Sequence, residues 1–172
     1  KLGLGLFSHQ FPDNGPSVTI IIPTKNQVKL LKNCLNSLEK TTYQNYQVLI
    51  VDNESDDPET LAYFQQISHR VLPVKNIDGK FSFAAINNRA AEQATTDYVL
   101  FLNNDIEVIA PNWLSQMVGY TQIENVGAVG ARLLFPDGRV QHAGVIHGMH
   151  HGLAGHAFKL IAKDDGGYLS YA

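Results

Sequence analysis

Hard oxygen donors gather at two places in this chain, and each place directly follows an apolar run. Asn103-Asn104-Asp105 follows Tyr98-Val-Leu-Phe-Leu102, and Asp52-Asn53-Glu54-Ser55-Asp56 follows Tyr46-Gln-Val-Leu-Ile-Val51. Carboxylate and amide oxygens are the ligands that Mg²⁺ and Mn²⁺ prefer. The first cluster reads as a corner that holds a divalent metal ion and, through it, a phosphate-bearing substrate. Acceptors in the second suit a nucleobase N–H or ribose hydroxyls. Binding is the expected role of Asp52, at the strand end itself, whereas Asp56 reads as the cap of the next helix. A third group is His142, His147, His150, His151 and His156. Zinc does take histidines at short spacing, but a Gly-rich stretch without cysteine or a fixing helix makes a poor zinc site.

These residues need a frame. The run Tyr98 to Leu102 reads as a strand buried on both faces, as in a parallel sheet covered by helices. Open α/β sheets bind ligands just beyond the carboxyl ends of their strands, which is where both oxygen clusters fall. Other strands are expected at Val18 to Pro23, Tyr46 to Val51 and Val71 to Asn76, with Pro73 placing the last at an edge or a strand start. Helical spacing marks Val28 to Lys40. Pro58 suits the first turn of a helix from Glu59 to Ser68, with Leu61 and Phe64 inward. Phe83 to Ala94 is expected to turn Phe83, Ile86 and Ala90 inward. A helix from Pro111 to about Gln122 would anchor on Trp113, Met117 and Tyr120. Val126 to Phe135 reads as a strand, Pro136-Asp-Gly138 as a turn, and Val140 to His147 as the hairpin's second strand. Strand–helix alternation over residues 18–130 argues an α/β fold with a mostly parallel, doubly wound sheet. Residues 1–17 read as an arm or linker, and His147 to Ala172 as a loop or mobile extension.

Composition narrows the function. The 172 residues suffice for one domain with a sizeable core. A net charge of −3 argues against a nucleic-acid partner, which would need clustered Lys and Arg. Cys34 is the only cysteine, so there is no intrachain disulfide; it reads as a small buried hydrophobe in a reducing compartment. No apolar run reaches the length of a membrane span. The start, Lys1 to Phe7, is too short and too broken by glycine for a signal peptide. Because it opens on Lys, the chain reads as an excised piece of something longer. The turn after the first strand, Pro23-Thr-Lys-Asn26, has no glycine, which excludes a dinucleotide-binding fingerprint and a P-loop. A metal is then the expected phosphate holder, with Arg89 and Arg132 as further candidates to steady phosphate.

Four ordered motifs carry a resemblance: Pro23-Thr-Lys-Asn26, Val51-Asp-Asn-Glu-Ser-Asp56, Phe83-Ala-Ala-Ile-Asn-Asn-Arg89 and Phe101-Leu-Asn-Asn-Asp105, joined by Pro136-Asp-Gly-Arg-Val-Gln-His-Ala-Gly144. Together they resemble family 2 glycosyltransferases, of the bacterial rhamnosyl- and O-antigen type. The resemblance implies a GT-A fold over residues 18–148, a nucleotide-diphosphate sugar donor and a divalent metal, Mn²⁺ or Mg²⁺. It also implies a glycan or lipid-linked acceptor and a cytoplasmic enzyme, peripheral to the inner face of the membrane. By position, Asp52 would contact the base, with Pro23, Thr24, Asn26, Asn53 and Ser55 lining the nucleotide pocket. Asn87 and Asn104 would sit near the donor, Asp105 would be the main metal ligand and Asn103 its companion. His142 would be structural or part of the donor pocket. Two departures stand out. Asn103 replaces the first carboxylate of the family's Asp-x-Asp, so donor phosphate is expected to supply the missing charge. No counterpart of the family's general base is found before Ala172, so residues 149–172 read as a His- and Gly-rich loop or the start of the acceptor-binding half. The alternative is a non-catalytic or truncated nucleotide-sugar-binding module.

Overall fold

The computed structural model describes residues 9–165. The chain divides into two compact units, one running to Gly119 and one from Tyr120. The first alternates β1 (Val18–Thr24), α1 (Val28–Leu38), β2 (Tyr46–Asp52), α2 (Pro58–Phe64), β3 (Arg70–Pro73), α3 (Phe83–Ala91) and β4 (Tyr98–Phe101), and leads into α4 (Trp113–Thr121). Its four strands form one parallel sheet in the order β3-β2-β1-β4.

The period-2 alternation of a strand sorts the core into two layers. Val18, Ile20 and Ile22 of β1 pack with Leu31, Cys34 and Leu35 of α1 and with Leu114 and Val118 of α4. Ile21, Leu49 and Val51 face the other way and meet Ile86 and Ala90 of α3. β1 and β2 carry near-continuous β-branched and leucine runs because both of their faces are covered.

β4 departs from the expectation of a strand buried on both faces. It is the last strand in the order, and Val99 and Phe101 stand 42% and 50% exposed while Tyr98 and Leu100 lean on the core. The helix faces also differ in detail. α2 has only seven residues, and its buried side is Thr60, leaving Leu61 exposed. Ser82 caps α3, accepting from the Ala85 N–H, so Phe83 is the first helical residue and stays exposed while Ile86, Asn87 and Ala90 turn inward. In α4 the buried positions are Leu114, Ser115, Val118 and Gly119; Trp113 and Met117 are half-buried and Tyr120 is exposed.

The described part of the N-terminal stretch lies against the first unit. Asp13 accepts from Thr42 Oγ1 (2.7 Å) and Ser115 Oγ (2.5 Å), and Tyr43 Oη donates to the Pro16 carbonyl (2.7 Å). Phe11 sits so close over Gly119 that a Cβ added there would overlap its ring.

The second unit contains two antiparallel ribbons. β5 (Leu133–Leu134) pairs with β6 (Val140–His142), and β7 (Val145–Gly148) pairs with β8 (Leu153–His156) across α5 (Met149–Gly152). The turn between β5 and β6 is the expected Pro136-Asp-Gly138, with Gly138 at φ +84°. Two expectations fail here. Residues 126–132 form no strand, leaving only Leu133–Leu134 of the expected run, and Gly144 at φ +119° ends the pairing of β6 before β7 begins. The stretch after His147, expected to be a loop, instead builds α5 and β8. Each of these elements is only four residues long, too short for a period to register in the sequence. Residues 166–172 of that expected extension lie outside the described residues.

Candidate active site at the strand ends

Parallel register brings the oxygen clusters to one edge. Thr24 is paired with Asp52 across β1 and β2, and Ile21 is paired with Phe101 across β1 and β4. Counting three residues on from each member of the second pair puts Asn104 level with Thr24. Asn104 Nδ2 donates to Thr24 Oγ1 at 2.9 Å, and Thr24 Oγ1 donates in turn to the Asn26 carbonyl at 3.1 Å. The Asn53 N–H donates to the Thr24 carbonyl at 2.8 Å, joining the ends of β1 and β2.

Three residues of these loops occupy the left-handed region although each carries a side chain: Asn26 (φ 56°), Gln27 (φ 57°) and, in the second loop, Glu54 (φ 58°). Such backbone persists only where surrounding bonds hold it, and it gathers at functional sites. Here the bonds are visible. Asn26 Oδ1 accepts from the Asp56 and Asp57 N–H groups at 3.0 Å each, Asn26 Nδ2 donates to Asp56 Oδ1 at 2.8 Å, and the Asn26 N–H donates to Ser55 Oγ at 2.8 Å. Asn26 and Ser55, expected to line a nucleotide pocket, thus use these groups to bind the first loop to the second. Asp52 Oδ1 accepts from the Ser55 N–H at 3.0 Å. Pro23, half-buried, directly precedes Thr24 in β1.

The helix cap is Asp57 and not Asp56: Asp57 Oδ2 accepts from the Thr60 N–H (2.8 Å) and Thr60 Oγ1 (2.7 Å). Pro58 at the first helical position requires the cap to sit directly before it, which is the signal in the sequence that points to Asp57. The Thr60 hydroxyl and N–H hold the Asp57 carboxyl below its usual range.

Asn53 and Asn87 are both nearly fully buried. Asn53 Nδ2 donates to the Val74 carbonyl (3.2 Å) and Asn76 Oδ1 (3.1 Å), and Asn87 Nδ2 donates to the Phe83 carbonyl (2.9 Å). Each leaves a buried amide oxygen without a partner among the described residues, an unusual condition that a ligand or water hydrogen would relieve. Sequence reasoning missed Asn76, which joins Glu54 of the acceptor cluster on this side: Glu54 Oε2 accepts from Asn76 Nδ2 at 2.6 Å. Arg89 and Arg132 each donate to a backbone carbonyl, of Lys75 and Lys163 respectively, which accounts for one hydrogen-bonding group of each.

Asn103 and Asp105 are exposed beyond the end of β4, while Asn104 is half-buried on Thr24. The donor set is oxygen only, which fits a hard dication. Among the described residues no three His, Cys, Asp or Glu side chains are grouped to hold a metal, so a cation at Asp105 would draw other ligands from Asn103, water and a bound phosphate. Beneath this corner Cys34 is buried and its thiol is pushed up to about 11, first by burial and then by the Asp105 charge. A thiol so protonated is no nucleophile.

The five histidines divide. His142 and His156 meet Nδ1 to Nδ1 at 2.9 Å in the second unit, with no third metal ligand grouped beside them among the described residues.

Comparison with known proteins agrees with the sheet and its edge. The family model for glycosyl transferase family 2 matches residues 19–164. The chain is 47% identical over 151 residues to the O-antigen biosynthesis protein RfbC of Myxococcus xanthus, covering 87% of this chain and 12% of that protein. It is 44% identical over 156 residues to the uncharacterized protein y4gI of Sinorhizobium fredii, covering 89% of this chain and 17% of that protein. The chain therefore spans less than a fifth of these relatives. Among solved structures, it is similar to the mannosyltransferase PcManGT of Pyrobaculum calidifontis in complex with GDP-Man and Mn²⁺. That likeness has a TM-score of 0.59 and 25% identity, over 71% of this chain and 36% of that one. It is also similar to residues 1–349 of S. aureus TarS in complex with UDP, with a TM-score of 0.51 and 26% identity, over 61% of this chain and 32% of that one. A parallel sheet flanked by helices, three motifs at its carboxyl edge with a fourth on α3, and a family match over most of the length lead to one assignment: the chain has the GT-A fold and belongs to glycosyl transferase family 2.

Proposed function

We propose that this chain binds a nucleotide-diphosphate sugar at the edge formed by β1, β2 and β4, and serves an inverting glycosyl transfer to a glycan or lipid-linked acceptor. The observation that carries the reading is the meeting of Thr24, Asp52 and Asn104 at one level of the sheet, with Asp105 exposed beside them. Asp52 takes the base, Thr24, Asn53 and Asn87 flank the donor, and Pro23, Asn26 and Ser55 fix the loops that shape the pocket. Asp105, with Asn103, holds Mn²⁺ or Mg²⁺, which when bound acts as a Lewis acid toward the leaving nucleoside diphosphate. The neutral Asn103 makes metal and donor phosphate mutually dependent ligands. Inversion proceeds by direct attack of an acceptor hydroxyl, in keeping with a buried, protonated Cys34 and no covalent intermediate. No described helix is long and apolar enough to cross a membrane; action at the inner membrane face, on a lipid-linked or growing surface glycan, rests on the family and on the O-antigen relative alone.

Calorimetric titration with UDP, GDP and TDP, with and without Mn²⁺, tests the donor site. Binding of at least one of them, strengthened by Mn²⁺, is expected; failure of all three with Mn²⁺ present sinks the reading. A second reading, a nucleotide-sugar-binding module without turnover, has one specific observation behind it. The only acid of the β5–β6 hairpin, Asp137, is already paired with Arg139 at 2.6 Å, so it does not offer a free base. Donor consumption in the presence of an acceptor separates the two readings.

A further inference from the structure

The sequence spreads five histidines over a glycine-rich stretch, and the fold selects two of them. His142, at the end of β6, and His156, at the end of β8, belong to different ribbons of the second unit, yet their Nδ1 atoms stand 2.9 Å apart with the rings nearly perpendicular. The backbone on both sides of the pair is tied. The Ala157 N–H donates to the Gly144 carbonyl at 2.9 Å, the Leu160 N–H to the Val140 carbonyl at 2.7 Å, and the Val140 N–H to the Ile161 carbonyl at 2.8 Å. The two imidazoles are therefore delivered to each other by main-chain bonds and do not depend on their own contact to meet. Preorganisation of that kind is what a chelating pair requires.

We propose that His142 and His156 form a site for a nitrogen-preferring dication of the Zn²⁺, Ni²⁺ and Cu²⁺ class, its donors nitrogen where those of the Asp105 corner are oxygen. Two imidazole nitrogens bound at about 2.0–2.1 Å stand roughly 2.9 Å apart at right-angle coordination and roughly 3.3 Å apart at tetrahedral coordination. The observed spacing fits the first, and a small opening reaches the second. At this contact one ring donates its Nδ1–H to the other; for metal to take both Nδ1 atoms, that proton would move through solvent to the donor ring's Nε2, which frees both Nδ1 lone pairs. His147 offers a further nitrogen. It pairs with Ala154 while His156 pairs with Val145, so His147 and His156 lie on one face of the β7–β8 ribbon as diagonal neighbours. His147 stands outside the present contact and would join by rotation of its side chain; water fills the other positions. Bound metal would pin β6 to β8, and it makes no use of the nucleotide edge.

Titration of the chain with Ni²⁺ or Zn²⁺ near pH 7.5, with long-range ¹H–¹⁵N spectra of the imidazoles, tests the site. One equivalent should bind and move the Nδ1 resonances of both His142 and His156. His142→Ala or His156→Ala should each weaken binding tenfold or more, and His147→Ala by less. His150→Ala with His151→Ala should leave it unchanged, and excess Mn²⁺ should not compete. No uptake by the unmutated chain, or Nδ1 resonances that stay put while metal binds elsewhere, overturns the proposal. Equal affinity in folded His142→Ala and His156→Ala chains does so too. Nucleotide titration of the same variants is read separately, so failure of this site and failure of the donor-site reading are distinguishable.

Discussion

At the scale of residues, the strand-end cluster divides into groups that face solvent and groups that hold the loops. Asp105 and Asn103 are exposed, whereas the side chain of Asn26 is spent on the Asp56–Asp57 loop. Two substitutions distinguish these roles. Asp105→Ala should abolish Mn²⁺-dependent nucleotide binding with little change in melting temperature, because an exposed carboxylate contributes little to stability. Asn103→Asp should strengthen it by adding a ligand charge; equal affinity in Asp105→Ala and the unmutated chain would remove Asp105 from the metal corner. Asn26→Ala should lower stability by about 1–3 kcal/mol, since it leaves two loop N–H groups and a carboxylate oxygen without their partner. Urea denaturation measures that loss. The role of Asn26 was not legible in the sequence, because one asparagine serves equally as a ligand donor or as a loop clamp. Only the positions of Asp56 and Asp57 relative to it decide, and they lie some thirty residues away.

At the scale of elements, β1, β2 and α1 come directly from their sequences, because each has a strong period and covered faces. The departures share a cause. β4 has the composition of a strand buried on both faces but the position of an edge strand, and position in a sheet is a non-local fact. The face of α4 differs from its expected one because the start of a helix sets which residues turn inward, and a shift of one position rotates the face by about 100°. In α3, which starts at Phe83 behind its Ser82 cap as expected, Ile86 and Ala90 do turn inward and only Phe83 stays exposed. In α4, Gly119 is required by contact, since the ring of Phe11 occupies the space a methyl group would take. Gly119→Ala should destabilise the chain by about 1–3 kcal/mol through overpacking, despite alanine's better helix propensity. Adding Phe11→Ala should recover part of that loss, so that the two changes are non-additive in a double-mutant cycle. Additive effects would show that the ring does not limit the glycine.

At the scale of the whole molecule, carboxylates stitch distant segments together. The Ser115 and Thr42 hydroxyls hold Asp13 below its ordinary value of 3.8, the Ser17 hydroxyl and N–H do the same for Asp97, and within a single turn the Arg139 side chain does so for Asp137, two residues away. For an acid whose folded value is depressed, the unfolded chain takes up protons first as pH falls. The stabilisation is therefore present above the ordinary carboxylate range and is lost as pH drops through the lowered folded values. Melting temperature should be nearly flat from pH 7 to 5 as far as these groups are concerned and fall below about pH 4. Asp13→Asn and Asp97→Asn should lower the neutral-pH melting temperature and flatten the acid slope; an unchanged slope in both would show that these ties carry no linkage. The parallel α/β plan was legible from strand–helix alternation, and the oxygen-rich residues at the ends of β2 and β4 meet at one edge of it as expected. The ribbons of the second unit were not, because strands of two to four residues are too short for periodicity to register and are held by bonds from distant segments.

The pairing of Ile21 with Phe101 sets a ruler for the whole edge. From that pair, Thr24 and Asn104 are reached by the same number of steps, and each step along a strand advances about 3.3 Å and reverses the side-chain direction. The corner is thus specified by a count as much as by chemistry. Side chains at 103 can change between amide and carboxylate and adjust the strength of the site. Loss or gain of one residue between Tyr98 and Asp105 would shift Asn104 off Thr24. Such a chain would keep its core and its composition and lose the bond that ties the ends of β1 and β4.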